Sequence, residues 1–316
     1  MEVIHGLGER PPVDPERGSV VTIGFFDGVH RGHRAVFERT VAVAKDRGLE
    51  SVAVTFDRHP REILTPGNEP KLLTTLERKA SLIEALGIDR LVVLAFTEEF
   101  SRLPAELFVQ RILVDGLAAR HAVVGSNFTF GHQAVGTLML LAALGDAAGF
   151  SVEGVGLLHL GERAVSSSSI REALARGELA WPTEALGRRY VVDGVVTRGA
   201  GRGTGLGFPT ANLEVPGRML LPGEGVYAGR ATAPAGTFPA AINVGTNPTF
   251  GAEPLHAEAF LLDFAGDLRG EPIALEFWEW LRDEERFESP ESLAAQIARD
   301  VERTRSVVGA DAAPRP

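Results

Sequence analysis

Cysteine is absent from the 316-residue chain, and this absence excludes disulfide bonds, thiolate metal sites and cysteine nucleophiles. Positive charge is scarce, because 32 Lys and Arg residues stand against 42 Asp and Glu and leave a formal net charge of −10. A broad electrostatic attraction to nucleic acid or to an anionic membrane is therefore not expected. Any bound phosphate group must instead be held by local geometry.

Long apolar runs are also missing. The longest, Leu138–Leu144, is far too short to span a bilayer, and the amino-terminal residues contain no apolar segment typical of a secretory signal. Hydrophobic residues make up 44% of the chain, as in ordinary globular proteins, and the length suits two domains. We expect a soluble, cytoplasmic protein with no membrane and no nucleic-acid partner.

The first half of the chain alternates β-branched runs with helical patterns. The runs are Val20–Phe26, Ser51–Phe56, Leu91–Phe96, His121–Gly125 and Val155–Leu160. Helical patterns cover Arg34–Lys45, the residues after the capping pair Thr74 and Glu77, Pro104–Val114 and Gly136–Ala148. This alternation predicts a parallel sheet with helices on both faces. Ligands of such sheets bind at the carboxyl ends of the strands.

The pattern changes beyond Trp181–Gly187. Short strands are predicted at Tyr190–Arg198, Val226–Thr232, Ala240–Val244, Ala257–Phe264 and Ile273–Phe277, separated by Gly, Pro, Asn and Asp. A helix then begins near Ser289, with Pro290 in its first turn. We predict a small antiparallel β-barrel with a terminal helix. The domains would span residues 1–182 and 183–308, followed by a frayed tail at 309–316.

The motif IGFFDGVHRGH, residues 23–33, ends the first predicted strand. His30 and His33 follow a glycine-containing turn and open a helical pattern, where free N–H groups favour anions. Histidines three apart lie on one face of a helix. The motif predicts a nucleotide phosphate site. Two such histidines can also bind a metal, although no third ligand is obvious.

Three further motifs follow predicted strands of the same sheet. They are TFDRHP (55–60), VGSNFTFG (124–131) and SSSSIR (166–171). Consecutive serines at a helix start, with Arg171 one turn away, suit a polyphosphate, whereas a serine run is also common in loops. Asn127 and its aromatic neighbours are equally consistent with turn and core residues.

A fifth motif, RGAGRGTGLGFPTAN (198–212), lies in the second half. Its alternate glycines let backbone amides approach a ligand closely, but it lacks the Gly-Lys-Ser/Thr of a P-loop. In an extended segment Thr210 and Asn212 would face the same side, as an oxygen pair for Mg²⁺ and phosphate. Downstream, Glu258 begins a predicted strand, where an isolated glutamate is most often solvated.

Together the blocks resemble the bifunctional bacterial riboflavin kinase/FMN adenylyltransferase (FAD synthetase) family. The matching blocks, in the order of the family, are GFFDGVHRGH, TFDRHP, VGSNFTFG, SSSSIR, GRGTGLGFPTAN, GVYAG, NVGTNPTF and LRDEERF. The resemblance implies a Rossmann-like nucleotidylyltransferase domain followed by a barrel of the riboflavin kinase type. The barrel would phosphorylate riboflavin to FMN, and the first domain would transfer AMP to FMN to give FAD. ATP would be the co-substrate of both reactions, together with Mg²⁺. The protein would be a monomer or a weak homo-oligomer.

The resemblance also implies roles for individual residues. Glu258 would be the general base of the kinase, and His30 and His33 would act in adenylyl transfer. ATP in the first domain would contact Gly24, Phe25, Phe26, Asp27, His30, His33, Ser166, Ser167, Ser168 and Arg171. Flavin there would face Phe56, Asp57, His59, Pro60, Asn127 and Phe128. ATP in the kinase would contact Gly199, Gly201, Arg202, Gly203, Gly207, Phe208, Pro209, Thr210 and Asn212. Thr210 and Asn212 would bind the metal, and Arg282, Glu285 and Phe287 the flavin of the kinase.

Two other classes of function use some of the same features. A different nucleotidylyltransferase could share the two-histidine turn, but the FPTAN block and the β-rich second half count against it. A non-catalytic flavin- or nucleotide-binding regulator is opposed by the presence of Glu258, Thr210 and both histidines.

Overall fold

The computed structural model describes residues 1–8, 13–199, 205, 207–246 and 255–311. These residues form two compact units. The first comprises Met1–Pro70 and Leu76–Ser166, and the second comprises Lys71–Thr75 with the described residues from Ser167 onward. These units are defined by compactness, whereas the boundary predicted between residues 182 and 183 separates two activities. That boundary stays a prediction. Residues 312–316 of the predicted tail lie outside the described residues.

The first unit is built from parallel strands and helices. Its strands are β1 (Glu2–His5), β2 (Ser19–Ile23), β3 (Glu50–Phe56), β4 (Arg90–Leu94), β5 (Ala119–Gly125), β6 (Ser151–Val155), β7 (His159–Leu160) and β8 (Arg163–Ala164). Its helices are α1 (Arg31–Arg47), α2 (Arg61–Leu64), α3 (Leu76–Glu84), α4 (Glu98–Ser101), α5 (Ala105–Phe108) and α6 (Leu138–Ala148). A π-helical segment, Val109–Gly116, continues α5, and His132–Ala134 forms a short 3₁₀ turn.

Six strands form one sheet in the order β1-β4-β3-β2-β5-β6, and each pair in it is parallel. The chain passes from β2 to β3 on one side and later reaches β5 on the other side of β2. Such a reversal of strand order opens a crevice at the carboxyl ends of the strands. The motifs that follow β2, β3 and β5 therefore lie on adjacent strands.

The sheet is covered on both faces, as the alternation of strands and helices predicts. On one face, Val21, Val54 and Val124 pack with Phe108 of α5 and Leu141 of α6. On the other face, Ala53 and Leu91 pack with Phe37 of α1 and Ile83 of α3. Successive residues of a strand point to opposite faces, so buried parallel strands are apolar throughout.

One strand of this sheet, β1, was not predicted, and another, β6, was misplaced. The strand expected at Val155–Leu160 is wrong, because β6 ends at Val155 and the hairpin strand β7 begins at His159. β1 and β6 are the two edge strands and are largely exposed or half-buried. Edge strands need no continuous apolar run, and their sequences therefore carry a weak signal.

The second unit holds the predicted barrel. Its elements are α7 (Ser167–Ala175), α8 (Ala180–Leu186), β9 (Tyr190–Thr197), β10 (Ala211–Glu214), β11 (Gly225–Ala233), β12 (Gly236–Gly245), β13 (His256–Leu261), β14 (Pro272–Arg282) and α9 (Pro290–Asp311). The barrel is closed and antiparallel in the order β10-β13-β12-β11-β14-β9. The short strand β10 was not predicted, since its polar residues resemble the preceding loop.

The barrel interior is filled by alternate residues of each strand. On β13, Ala257, Ala259 and Leu261 are buried, whereas His256 and Glu258 are half-buried. Outward-facing positions can therefore carry polar side chains without disturbing the core. No helix in the described part of the chain is long and apolar enough to cross a membrane.

Candidate active sites

The turn between β2 and α1 is anchored by a fully buried strand. α1 begins after His30, whose Nδ1 accepts a hydrogen bond from the His33 backbone N–H at 3.3 Å. The His30 imidazole thus takes the place of the N-cap side chain and satisfies one of the free N–H groups of the first turn. Because Nδ1 is the acceptor, the proton of the neutral ring lies on Nε2. His30 is held at the helix end that favours anions.

The two histidine rings pack directly on each other. Their centroids are 3.5 Å apart and the planes are inclined by 19°. Gly32 permits this packing, because a Cβ there would come within 3.2 Å of the His30 ring. The edge of Phe26 meets His33 at 5.3 Å. The structure therefore brings together both predicted histidines and one of the predicted aromatic residues.

The backbone of the turn is strained at two bulky residues. Phe26 has φ of 53° and Val29 has φ of 40°, a region that costs about 1–3 kcal/mol for residues with a side chain. A Cβ at Gly24 would lie 2.8 Å from the Phe26 ring, so a larger residue there would displace that ring. Such strain persists only where the surrounding structure enforces it.

Asp57 follows β3 and is fixed by hydrogen bonds. Its Oδ1 accepts the Phe96 N–H at 2.9 Å, and its Oδ2 accepts from the Arg58 guanidinium at 3.2 Å. Burial acts to raise the pKa of Asp57, but the hydrogen bonds from Phe96 and Arg58 outweigh it and hold the pKa below its usual range. This carboxylate stays ionised at neutral pH.

The other residues of TFDRHP differ in their surroundings. His59 meets the edge of the Phe25 ring at 4.8 Å, and its Nδ1 accepts the Arg61 N–H at 3.1 Å. Pro60 precedes α2 as its cap residue. Phe56 packs against Phe96 at 5.3 Å and is only 9% exposed. Its ring belongs to the core cluster. Its predicted contact with flavin stays a prediction.

The VGSNFTFG motif follows β5 at the same edge of the sheet. Asn127 is exposed, and the Phe128 ring stacks on Phe130 at 5.6 Å. Phe130 is buried, so Phe128 rests on the core while remaining half-buried itself. A flat aromatic surface beside an exposed amide is a suitable platform for a ring system.

Lys79 is a charged residue of the first unit that the sequence reasoning missed. It lies on α3 with 3% exposure, and its Nζ donates to the Phe25 carbonyl at 2.8 Å. A signal was present, since residue 79 falls on the helix face of Leu76, Ala80 and Ile83, where an apolar residue is expected.

The serine motif is divided between the two units. Ser166 ends the first unit, whereas Ser167, Ser168 and Arg171 belong to the second and begin α7. Arg171 Nε donates to the Lys71 carbonyl of the same unit at 2.6 Å. A common phosphate site for these residues and the two histidines stays a prediction.

In the barrel, a row of polar side chains crosses three neighbouring strands. Glu258 of β13 lies opposite Asn212 of β10 on one side and opposite Asn243 of β12 on the other. Directly paired residues share a face of the sheet, and all three are half-buried on the outer side. The Thr210 hydroxyl donates to Glu258 Oε2 at 3.1 Å. The predicted pair Thr210 and Asn212 is thus brought to the predicted base.

Part of the glycine loop lies beside this row. A Cβ at Gly199 would overlap the Asn212 amide, so the backbone passes directly over that side chain. Gly207 has φ of 84°, and Phe208 meets the edge of Phe260 at 5.4 Å before Pro209 leads into β10. The predicted ATP ligands Gly201, Arg202 and Gly203 lie outside the described residues.

His256 is a second residue that the sequence reasoning missed. Its Nε2 lies 3.7 Å from Glu258 Oε1. Residues two apart on a strand share a face, so the spacing His-x-Glu in an outward-facing register could have identified it. Glu258 is therefore flanked by a hydroxyl on one carboxylate oxygen and an imidazole on the other.

The predicted flavin residues of the kinase lie after β14. Arg282 binds the Asp300 carboxylate of α9 at 2.8 Å, and its guanidinium lies 5.7 Å from the Phe287 ring. Glu285 is exposed. Arg282 thus has a structural partner in the described residues, and its predicted contact with flavin stays a prediction, as do those of Glu285 and Phe287.

Known proteins share both halves of this arrangement. A family model described as FAD synthetase matches residues 13–169, and one described as riboflavin kinase matches residues 186–308. The bifunctional riboflavin kinase/FMN adenylyltransferase of Pseudomonas fluorescens is 38% identical, covering 99% of each chain. The protein of the same description from Listeria monocytogenes is 36% identical, covering 91% of each.

Similarity extends to the three-dimensional structure. A solved structure described as a macrolide-efflux protein from Streptococcus pneumoniae has a TM-score of 0.86 and 29% identity to this chain. It covers 96% of this chain and 99% of its own. With two matching family models in the predicted order and relatives matched over nearly their whole length, this chain belongs to the family of bifunctional riboflavin kinases/FMN adenylyltransferases.

Proposed function

We propose that this protein makes FMN and then FAD. The barrel transfers the γ-phosphoryl group of ATP to the 5′-hydroxyl of riboflavin. The parallel-sheet unit transfers AMP from a second ATP to FMN and releases pyrophosphate. The observation that carries the proposal is that the two family matches fall on two different folds, each with its own group of polar motif residues.

Adenylyl transfer needs positioning more than proton transfer. The attacking group is the phosphate of FMN, which is already anionic, so no strong base is required. Negative charge builds on the non-bridging and leaving oxygens, and fixed donors stabilise it. His30 and His33 at the start of α1 supply ring N–H donors at a helix end that favours anions. Both would hold the ATP phosphates.

Riboflavin phosphorylation needs a base, because a hydroxyl is a poor nucleophile. Glu258 accepts the proton of the 5′-hydroxyl, and the Thr210 hydroxyl orients its carboxylate through the 3.1 Å hydrogen bond. The phosphorus is attacked in line, without a covalent protein intermediate. His256, near the other carboxylate oxygen, adds a partner that is attractive when protonated.

The oxygen-rich row also fits Mg²⁺. The Thr210 hydroxyl contacts Glu258, and Asn212 is paired with Glu258 across the neighbouring strands. Mg²⁺ prefers oxygen ligands such as these residues carry, together with water and substrate phosphates. The Thr210 oxygen still has lone pairs for a cation while its O–H donates the hydrogen bond to Glu258. Thr210 and Asn212 would hold the ion, which when bound neutralises charge on the ATP phosphates.

Three further parts of the proposal concern the whole chain. We assign adenylyl transfer to residues 1–182 and the kinase to residues 183–308, and we place the protein in the cytoplasm, where ATP and riboflavin meet. A monomer or weak homo-oligomer is proposed as its state in solution. Light scattering of the purified protein measures that state directly.

The proposed activities are tested by incubating the full chain with riboflavin, ATP and Mg²⁺ and separating the flavins over time. FMN accumulates first and FAD follows. A parallel reaction that starts from FMN tests the second step alone. Unchanged riboflavin overturns the kinase assignment, and unchanged FMN overturns the adenylyltransferase assignment. Consumption of ATP without any new flavin would indicate a different nucleotidylyltransferase.

A further inference from the structure

Lys79 is a buried ammonium group in a position suited to an apolar side chain. It lies on the face of α3 that also buries Ile83, beside the cluster that contains Phe26 and Leu91. Its exposure is 3%. Charged groups are rarely buried to this extent without a specific partner.

The partner of Lys79 is the turn that carries the two histidines. Its Nζ donates to the Phe25 carbonyl at 2.8 Å and lies 4.0 Å from the centroid of the Phe25 ring. The Thr55 hydroxyl lies 3.4 Å from Nζ and donates to the same carbonyl at 3.1 Å. One ammonium thus holds both the backbone and the ring of Phe25.

Holding Phe25 constrains the residues that bear the chemistry. The Phe25 ring contacts His59, and the next residue, Phe26, has the strained φ of 53° and contacts His33. A bulky residue in that conformation needs external support. Lys79 contacts Phe25, the residue immediately before the strained Phe26.

We propose that Lys79 is a positioning residue for adenylyl transfer, in which its ammonium fixes the Phe25 carbonyl and thereby the turn that places His30 and His33. This inference rests on the adenylyltransferase activity proposed above. Lys79 acts through Phe25 and does not touch the substrate. Its charge also adds positive potential beneath a turn that has to hold phosphates.

The surroundings explain why this ammonium is close to losing its proton. Burial lowers the pKa of Lys79 to about 8, and the nearby Asp27 carboxylate partly opposes that effect. Asp27 is 2% exposed and belongs to the turn itself. β3 presents the uncharged Thr55 hydroxyl, and the acidic residues Glu77 and Glu84 of α3 are exposed.

The first test replaces Lys79 with Met in the full chain. FAD formation from FMN and ATP is expected to fall about 100-fold in kcat, because small displacements of catalytic groups have effects of that size. The kinase of the same chain is an internal control and stays unchanged. Lys45→Met, at an exposed position of α1, is the matched control and retains both activities.

Folding of the variant is not expected to fail, because the Thr55 hydroxyl still donates to the Phe25 carbonyl. Thermal unfolding checks this point. If both activities fell equally and the temperature of the unfolding midpoint fell as well, Lys79 would be a structural residue, and the proposal would be overturned. A Met variant with normal adenylyl transfer would overturn it as well. An inactive wild-type protein in the FMN assay would instead refute the proposed function.

The second test is the pH profile between neutral pH and about pH 9.5. Lysine is charged below its pKa, so wild-type adenylyl transfer is expected to fall as the pH rises through about 8. Lys79→Arg keeps its charge over this range, and the alkaline fall should disappear. The Met variant should also lack it. If Lys79 only filled space, the wild type and both variants would show the same dependence of adenylyl transfer on pH. That result overturns the proposal even if the Met variant is unstable.

Discussion

Glu258 shows how one residue acquires a role from its neighbours. On a barrel strand its outward position resembles that of any solvated glutamate, and it is half-buried. Its carboxylate nevertheless accepts a hydrogen bond from Thr210 and lies near His256. The residue is also paired with an asparagine on each of the two adjacent strands. A carboxylate oriented on two sides can accept a proton from a hydroxyl held above it.

Glu258→Gln is expected to remove the proposed base without changing the shape of the site. The rate of FMN formation from riboflavin should fall by about 10²–10⁴, the usual contribution of a general base. FAD formation from supplied FMN should persist. Flavin separation after each reaction measures both rates.

The matched control for this variant is Glu214→Gln, at an exposed position on the neighbouring strand β10. It should leave both rates unchanged. Equal loss of the two activities in Glu258→Gln would contradict the assignment, because only the barrel reaction requires the base.

Burial of the Lys79 ammonium carries an energetic cost to the fold. A pKa lowered from the ordinary value of 10.5 to about 8 corresponds to about 3 kcal/mol against the charged form. The unfolded chain binds the extra proton between these two pKa values, so this group makes the fold more stable as the pH rises through that window. At neutral pH the buried ammonium therefore costs stability, and the positioning role proposed for Lys79 requires this charged form.

At the scale of elements, α9 is tied to the barrel by ion pairs of very different burial. Arg282 and Asp300 have side-chain exposures of 17% and 8%, and Gln296 also donates to Asp300 at 2.8 Å. The pair of Asp263 and Arg305 is exposed on both sides. Buried pairs are expensive to break, because the remaining charge has no compensation.

Asp300→Ala is therefore expected to destabilise the second unit by about 3 kcal/mol. Thermal or urea unfolding, followed by a signal from the barrel such as tryptophan fluorescence, measures the change. The kinase should lose activity at a lower temperature than the adenylyltransferase.

Asp263→Ala is the control for this variant. It removes one partner of the exposed ion pair between Arg305 of α9 and Asp263, which follows β13. Exposed pairs are screened by water and contribute little, so its unfolding midpoint should change much less. Similar midpoints for the two variants would contradict the structural role given to the buried pair.

At the scale of the whole molecule, two folds hold two reactions that share FMN. The first reaction produces it and the second consumes it. The two-histidine, TFDRHP and VGSNFTFG motifs belong to the parallel-sheet unit, and the Thr210–Glu258 row belongs to the closed barrel. Of the adenylyltransferase motifs, the serine motif alone is divided, with Ser167, Ser168 and Arg171 in the second unit. Damage to one site should therefore leave the chemistry of the other intact.

A mixing experiment uses this independence. The double variant His30→Ala with His33→Ala should keep the kinase and lose adenylyl transfer by about 100-fold or more, whereas Glu258→Gln should do the reverse. Neither makes FAD from riboflavin efficiently alone, but a mixture of the two should, because FMN released by one is used by the other. A mixture that forms FMN and no FAD, with both single activities verified, would indicate that FMN does not pass between molecules.

Both the fold class and the function were predictable from the sequence, and both predictions are confirmed by the family matches and the observed architecture. Alternation of strands and helices, and then of short strands and turns, is a local pattern that backbone periodicity imposes. The edge strands β1 and β6 and the short β10 escaped prediction because they are brief and polar. Edge position is a property of the sheet and leaves little trace in the strand itself.

The order of residues along the chain sets which side chains stand after each strand, and hence the chemistry available. These are two histidines at a helix start, a Thr-x-Asn pair and a glutamate on an outward strand position. The residues that join them from distant parts of the chain are brought there by packing. Lys79 reaches Phe25 across 54 positions, and Thr210 reaches Glu258 across 48. Periodicity describes one element at a time, whereas burial of an ammonium against a turn arises only when two elements pack together.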